Sequence, residues 1–220
     1  MPNLPISGLP ASDALTGAEL FADVQEGITK YTTLSDIATY TTYIPGNSYG
    51  LFNQTGSSIP VSGSLPRSGS LIDGGIGTLS VPANGFRVGD AFRAVIQGGI
   101  NVGTNGHTLD IQVSSDGVPL ADTGVITMPK ITGTKNWRMD LNFSINATGS
   151  AGTAEIASAG SFSFRTDSSG DVVTEIFSAV NNTTFDTTVP NTLVVKAIWG
   201  ASSNAADSIY SQIFTLRKVY

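Results

Sequence analysis

The chain has no cysteine, a single histidine and few charges: Lys, Arg, Asp and Glu together make up 13% of its 220 residues, about half the share in an average soluble domain. Without cysteine there is no disulfide framework, no thiolate metal site and no cysteine nucleophile. One histidine, His107, excludes a histidine-cluster metal centre and obliges any Ser-His-Asp triad to use that residue. Eleven basic residues dispersed among seventeen acidic ones, for a net charge of -6, leave no basic footprint for nucleic acid. No stretch approaches the ~20 apolar residues of a membrane span. Met1 to Asp13 shows neither the cationic start nor the apolar run of an export signal. The expectation is a soluble chain with no membrane insertion, no nucleic-acid partner and no cofactor.

Gly, Ser and Thr, twenty-five of each, supply about a third of the chain. That composition disfavours a helical bundle and suits short strands joined by tight turns. Five Asn-x-Ser/Thr triplets begin at Asn53, Asn142, Asn146, Asn181 and Asn182, and chance explains them in a chain this rich in Ser and Thr.

Acidity is concentrated at the front. Residues 1–57 hold Asp13, Glu19, Asp23, Glu26 and Asp36 against Lys30 alone. Leu4-Pro5 and Leu9-Pro10 read as extended. Glu19 to Val24 alternates, Gln25-Glu26-Gly27 can turn, and Ile28 to Thr33 can return, which predicts a hairpin. Ser35 is placed to cap a short helix from Asp36 to about Tyr40. A hairpin of this size is marginal alone in water, so the segment calls for a partner. Residues 44–70, rich in Gly, Ser and Pro, read as a linker, and the expected domains are 1–57 and 58–220, with 58–70 as linker.

From residue 71 period-two alternation recurs between Gly, Asn and Asp turns. The clearest strand sets Trp137, Met139, Leu141, Phe143 and Ile145 on one face. Further strands are predicted at Ile76–Val81, Ala91–Gln97, Leu109–Val113, Val118–Met128, Ser161–Arg165, Val172–Ala179, Thr192–Trp199 and Ser208–Val219. The expected fold class is all-β: an antiparallel β-sandwich, a jelly roll with an immunoglobulin-like sandwich as the alternative, preceded by a small extended hairpin module. Strict alternation puts Val194 and Ile198 opposite Leu193, Val195, Ala197 and Trp199, and Ile209 and Ile213 opposite Tyr210, Phe214 and Leu216. Both faces of the last two strands then look apolar. Val194, Ile198, Ile209, Tyr210, Ile213 and Phe214 are therefore candidates for an interface between copies.

Chemical motifs are sparse. Asn105-Gly106-His107 reads as an exposed turn, and no G-x-S-x-G elbow presents a serine. Scattered carboxylates show no pair with a distinguishing context for glycoside hydrolysis. Asp167-Ser168-Ser169-Gly170-Asp171 has the oxygen density of a calcium loop but lacks its twelve-residue pattern, and a hairpin turn explains it. Gly74-Gly75-Ile76-Gly77 leads into a strand, so no helix N-terminus is there for a phosphate. Tyr40, Tyr43, Tyr49 and Phe52 can stack on a sugar or pack on protein, packing being the simpler role.

Residues 6–38, through Gly8-Leu9-Pro10, Leu15-Thr16-Gly17-Ala18-Glu19-Leu20, and Thr32-Thr33 to Ile37-Ala38, resemble an N-terminal module of bacteriophage virion proteins, especially fibre-like ones. The stretch Thr78 to Asp90, the Trp137 strand, and Asp186 through Trp199-Gly200 to Ile209 are similar to knob or decoration domains of phage structural proteins. The resemblance implies a non-enzymatic virion structural protein on the particle surface, a head or tail fibre or a decoration protein, with a tumour-necrosis-factor-like jelly-roll knob as a homotrimer. It implies attachment to a capsid or tail protein, for which Leu9, Leu15, Leu20, Phe21, Val24, Ile28, Tyr31 and Ile37 are candidates. The alternative is a receptor- or glycan-binding tail protein recognising a host surface glycan, and behind it a polysaccharide depolymerase. The absence of a coiled-coil or β-helical shaft departs from a long fibre.

Overall fold

A computed structural model describes residues 20–25, 28–33, 51–167 and 171–219. The chain forms two units, Met1–Ser48 and Tyr49–Tyr220.

In the first unit β1 (Leu20–Gln25) and β2 (Ile28–Thr33) pair antiparallel, with Leu20 opposite Thr33 and Gln25 opposite Ile28. This is the expected hairpin, with two residues between its strands. The helix expected after Ser35 lies outside the described residues.

The second unit opens with β3 (Leu51–Gln54), β4 (Val61–Ser62), β5 (Ser68–Ser70), β6 (Gly75–Thr78) and β7 (Ser80–Val81). It continues through β8 (Ala91–Val102), β9 (Thr108–Ser115), β10 (Val118–Asp122) and β11 (Ile126–Thr127). It closes with β12 (Ile131–Ala147), β13 (Glu155–Arg165), β14 (Val172–Asn181), β15 (Asn191–Trp199) and β16 (Ser208–Lys218). Among the described residues there is no helix. The larger sheet runs β14-β13-β12-β8-β16-β3-β6, with β4 beside β16. The smaller runs β10-β9-β15-β5, with β11 beside β9 and β7 beside β15.

The topology selects the jelly roll over the immunoglobulin-like order. Taking β3, β5, β8, β9, β10, β12, β15 and β16 as eight strands, the first pairs with the last, the second with the seventh, the third with the sixth and the fourth with the fifth. That nesting is a long hairpin folded across two sheets. The β13–β14 hairpin is an insertion that widens the larger sheet beyond β12.

Segments expected as linker belong to the sandwich. The unit boundary falls at 48/49 rather than near 57; β3 pairs with β16, β5 with β15, and Val61 is buried. Short strands among Gly, Ser and Pro leave too little alternation to read. The strand expected over Ile76–Val81 is two strands in different layers, β6 on β3 and β7 on β15, as the chain crosses the sandwich at Leu79. Val118–Met128 likewise divides into β10 and β11, both on β9.

The Trp137 strand is the centre of the core. Trp137, Met139, Leu141, Phe143 and Ile145 are all buried, against Ile96, Phe162, Phe164 and Phe214 in their own sheet's inner face and Ile111, Val113 and Val195 from the other. Trp199 Nε1 donates to the Val61 carbonyl at 2.9 Å, tying β15 to β4 of the opposite sheet.

Candidate functional site

The alternation of β16 changes phase. Ser211 pairs with Gly98 and Ile213 with Gln97, so Gln212 is an extra residue on β16, a bulge that re-aims every side chain after it. Ile209 and Ser211 point inward before it, Phe214 and Leu216 after it. The two-sided apolar strand is thus a one-sided strand with one inserted residue. Ile209 and Phe214 are core residues with no exposed surface. Tyr210 is half-buried, its ring lying across Gly99, where a Cβ would meet it at 2.7 Å. Ile213 is 49% exposed on the outer face of the larger sheet. Val194 and Ile198 are half-buried on β15, in the smaller sheet. The structure therefore does not bring the six interface candidates together.

Of the attachment candidates, Leu20, Phe21 and Val24 lie on β1 and Ile28 and Tyr31 on β2, with Tyr31 opposite Ala22. Leu9, Leu15 and Ile37 lie outside the described residues, as do Tyr40, Tyr43 and Tyr49. Phe52 packs on Phe214 with ring centroids 5.6 Å apart.

His107 is buried rather than exposed. Its Nδ1 lies 3.0 and 2.8 Å from the two carboxylate oxygens of Asp207, which has no exposed surface. The same carboxylate accepts the Gly103 N–H at 2.8 Å and the Asn204 N–H at 2.7 Å, and Asn101 Nδ2 donates to the Ala206 carbonyl at 2.6 Å. Asp207 thereby clamps the β8–β9 turn to the β15–β16 loop. The nearby Ser203 hydroxyl, also buried, has no hydrogen-bond partner among the described residues, so no nucleophile–base contact of the kind a triad requires is formed there. Sequence reading missed this pair because its members stand 100 residues apart, each in a turn that looks solvated.

The outer face of the larger sheet carries one charge cluster. Arg93 and Arg138 each hold one oxygen of Asp140, both at 2.7 Å. Partial burial opposes the Asp140 charge, but the Arg93 and Arg138 guanidiniums outweigh it and hold the carboxyl below its ordinary range. Asp167 is spent locally: it accepts the Thr132 N–H at 2.6 Å and lies 3.8 Å from Lys135 Nζ. Residues 168–170 of the candidate calcium loop lie outside the described residues. Among the described residues no three His, Asp or Glu side chains gather as metal ligands.

No protein-family model matches this chain, and no curated protein matches it.

On β9, burial pushes the Asp110 carboxyl up, with Asp122 adding repulsion and the Gln112 amide partly offsetting both. Its Oδ1 has no hydrogen-bond partner among the described residues. A carboxyl raised in the folded state costs stability above its folded pKa, and costs nothing below the unfolded value near 3.8. Asp110→Asn will therefore raise the unfolding free energy at neutral pH, by less than about 1 kcal/mol because the site is partly solvated. The gain over the unsubstituted chain will disappear as the pH falls below about 4. Urea unfolding at the two pH values checks this, and an equal gain at both would exclude the charge as its cause.

Proposed function

We propose that this protein is a non-enzymatic virion structural protein, a fibre or decoration protein whose N-terminal unit docks on a capsid or tail protein while the jelly roll projects from the particle surface. The observation that carries this reading is the division of labour in the chain. Residues 49–220 have a core of their own between two sheets, whereas the described part of residues 1–48 is one two-stranded ribbon, a structure that does not sustain itself in water without further contacts. A segment that gains order by packing on a partner surface is suited to attachment. The resemblance of residues 6–38 to phage virion modules, and of the β segments to phage knobs, points to a particle as that partner. Exposed jelly-roll loops repeated over many copies would multiply weak contacts by avidity.

Deleting residues 1–48 tests this. The shortened chain is expected to keep the cooperative unfolding of the sandwich and to be missing from purified particles. Particles that carry it at the copy number of the full chain would overturn the attachment role.

A further inference from the structure

Among the described residues the sandwich has four sheet edges, and three are guarded. β10 carries Pro119 and a register break. β5 is three residues long, and β6 is four, two of them glycine. Such devices keep exposed edges from pairing with other chains. β14 has none of these, and its one charge is Glu175, on the inner-face row with Val173 and Phe177. Its ten residues, VVTEIFSAVN, include no proline, glycine, lysine or arginine. They pair with β13 in an unbroken register from Val172 opposite Arg165 to Asn181 opposite Ile156. Among the described residues β14 pairs with β13 alone.

The strand is also tied to its neighbours. Phe177 fills the space above Gly160, where a Cβ would meet its ring at 2.8 Å, so an aromatic over a glycine pins the register. Asn181 Nδ2 donates to the Pro119 carbonyl at 2.7 Å, and its Oδ1 accepts the N–H groups of Thr183, Thr184 and Phe185. On the outer face Val172, Ile176 and Val180 stand 58%, 83% and 61% exposed.

We infer that β14 pairs antiparallel with β14 of a second copy, about a two-fold axis at Ile176, joining two larger sheets into one. The strand's own sequence is complementary to itself in that register. Ile176 faces Ile176 of the second copy, Val172 faces Val180, and Thr174 faces Ser178, apolar on apolar and hydroxyl on hydroxyl, the pairings that stabilise antiparallel ladders. Glu175 faces Phe177, so the two glutamates are not directly opposed. The area is that of a weak pair: β14 spans about 33 Å and the five residues of β10 packed over it about 17 Å, which at roughly 10 Å per layer gives about 500 Å² per copy and about 1,000 Å² in total. The pair should therefore dissociate on dilution. It stands apart from the attachment role: a monomer that still enters particles would sink this inference alone.

The full chain is expected to show, by light scattering, a mass twice its 22.7 kDa at high concentration. Ile176→Lys should reduce that mass to one chain without altering the circular dichroism, while Ile59→Lys, at a site 79% exposed in another segment, should leave it unchanged. Because the chain has no cysteine, a single introduced thiol reports the register. Ile176→Cys should cross-link rapidly under mild oxidation, since residues directly opposed lie within disulfide reach. Val172→Cys should not, its two copies being roughly 27 Å apart along the ladder. A single-chain mass throughout, a mass of three chains, an unchanged mass for Ile176→Lys, or equal cross-linking at both positions would each overturn the proposal.

Discussion

Trp137→Ala will destabilise the sandwich by about 3 to 5 kcal/mol, lowering the melting temperature by roughly 6 to 20 °C for a domain of this size. The indole is 2% exposed and stacks at 5.6 Å from Phe162, so truncation leaves a void in a layer whose neighbours are all in fixed strands. Its Nε1 donates to the carbonyls of Gly99 and Tyr210, both at 3.1 Å. One side chain on β12 thus holds β8 and β16 together where Gly98 lets their backbones close in, since a Cβ at Gly98 would collide with the Tyr210 carbonyl oxygen. Trp137→Phe separates the two contributions: it keeps most of the packing and loses the donor, for a cost of about 1 to 3 kcal/mol. Equilibrium unfolding in urea reads both. An alanine variant within 1 kcal/mol of the unsubstituted chain, on the scale of an ordinary surface change, would show that the core closes over the gap and that Trp137 is not its anchor.

Asp207→Ala is the second large effect, an expected loss of about 3 to 5 kcal/mol. The substitution removes the acceptor for His107 and for the Gly103 and Asn204 N–H groups together, and buried donors left without partners bear their full desolvation cost. His107→Ala should cost less, because the two backbone donors keep their carboxylate. The double variant should be more stable than the sum of the two losses, with a coupling of about 0.5 to 3 kcal/mol. Additive losses would mean that His107 and Asp207 act separately, and that the clamp is made by Asp207 on the backbone alone. Hydrogen exchange at Gly103 and Asn204 gives a local readout: both amides should lose protection in Asp207→Ala, and only weakly in His107→Ala.

These two sites show what was legible and what was not. The Trp137 strand could be read directly, because five apolar side chains at period two admit no other regular structure. All five are buried as that alternation requires. The all-β class and the hairpin at Leu20–Thr33 followed from alternation and from a short turn in the same way. The clamp of His107 on Asp207 could not be read, because neither residue's neighbours in sequence hint at the other. The contact exists only once the β8–β9 turn and the β15–β16 loop meet at one end of the sandwich.

Two of the six interface candidates, Ile209 and Phe214, lie in the core for a different reason. A strand's side-chain period is two only while its ladder is unbroken, and Gln212 interrupts β16. Counting residues puts Phe214 on the face opposite Ile209, yet both lie in the core. Conversely, Val172, Ile176 and Val180 drew no attention as an alternating row in a predicted strand, because alternation does not tell whether a strand is central or at an edge.

Local physics settled the class and the long strands: composition favoured strands over helices, alternation located the core strands, and Gly-rich turns separated them. Tertiary structure alone decided the nested jelly-roll order, the crossing at Leu79 and the phase change at Gln212. It also decided the burial of Asp207 and the place of β14 at the edge of the larger sheet among the described residues. Each of these depends on which strand lies beside which, and strand neighbours are chosen by contacts between residues far apart in the chain.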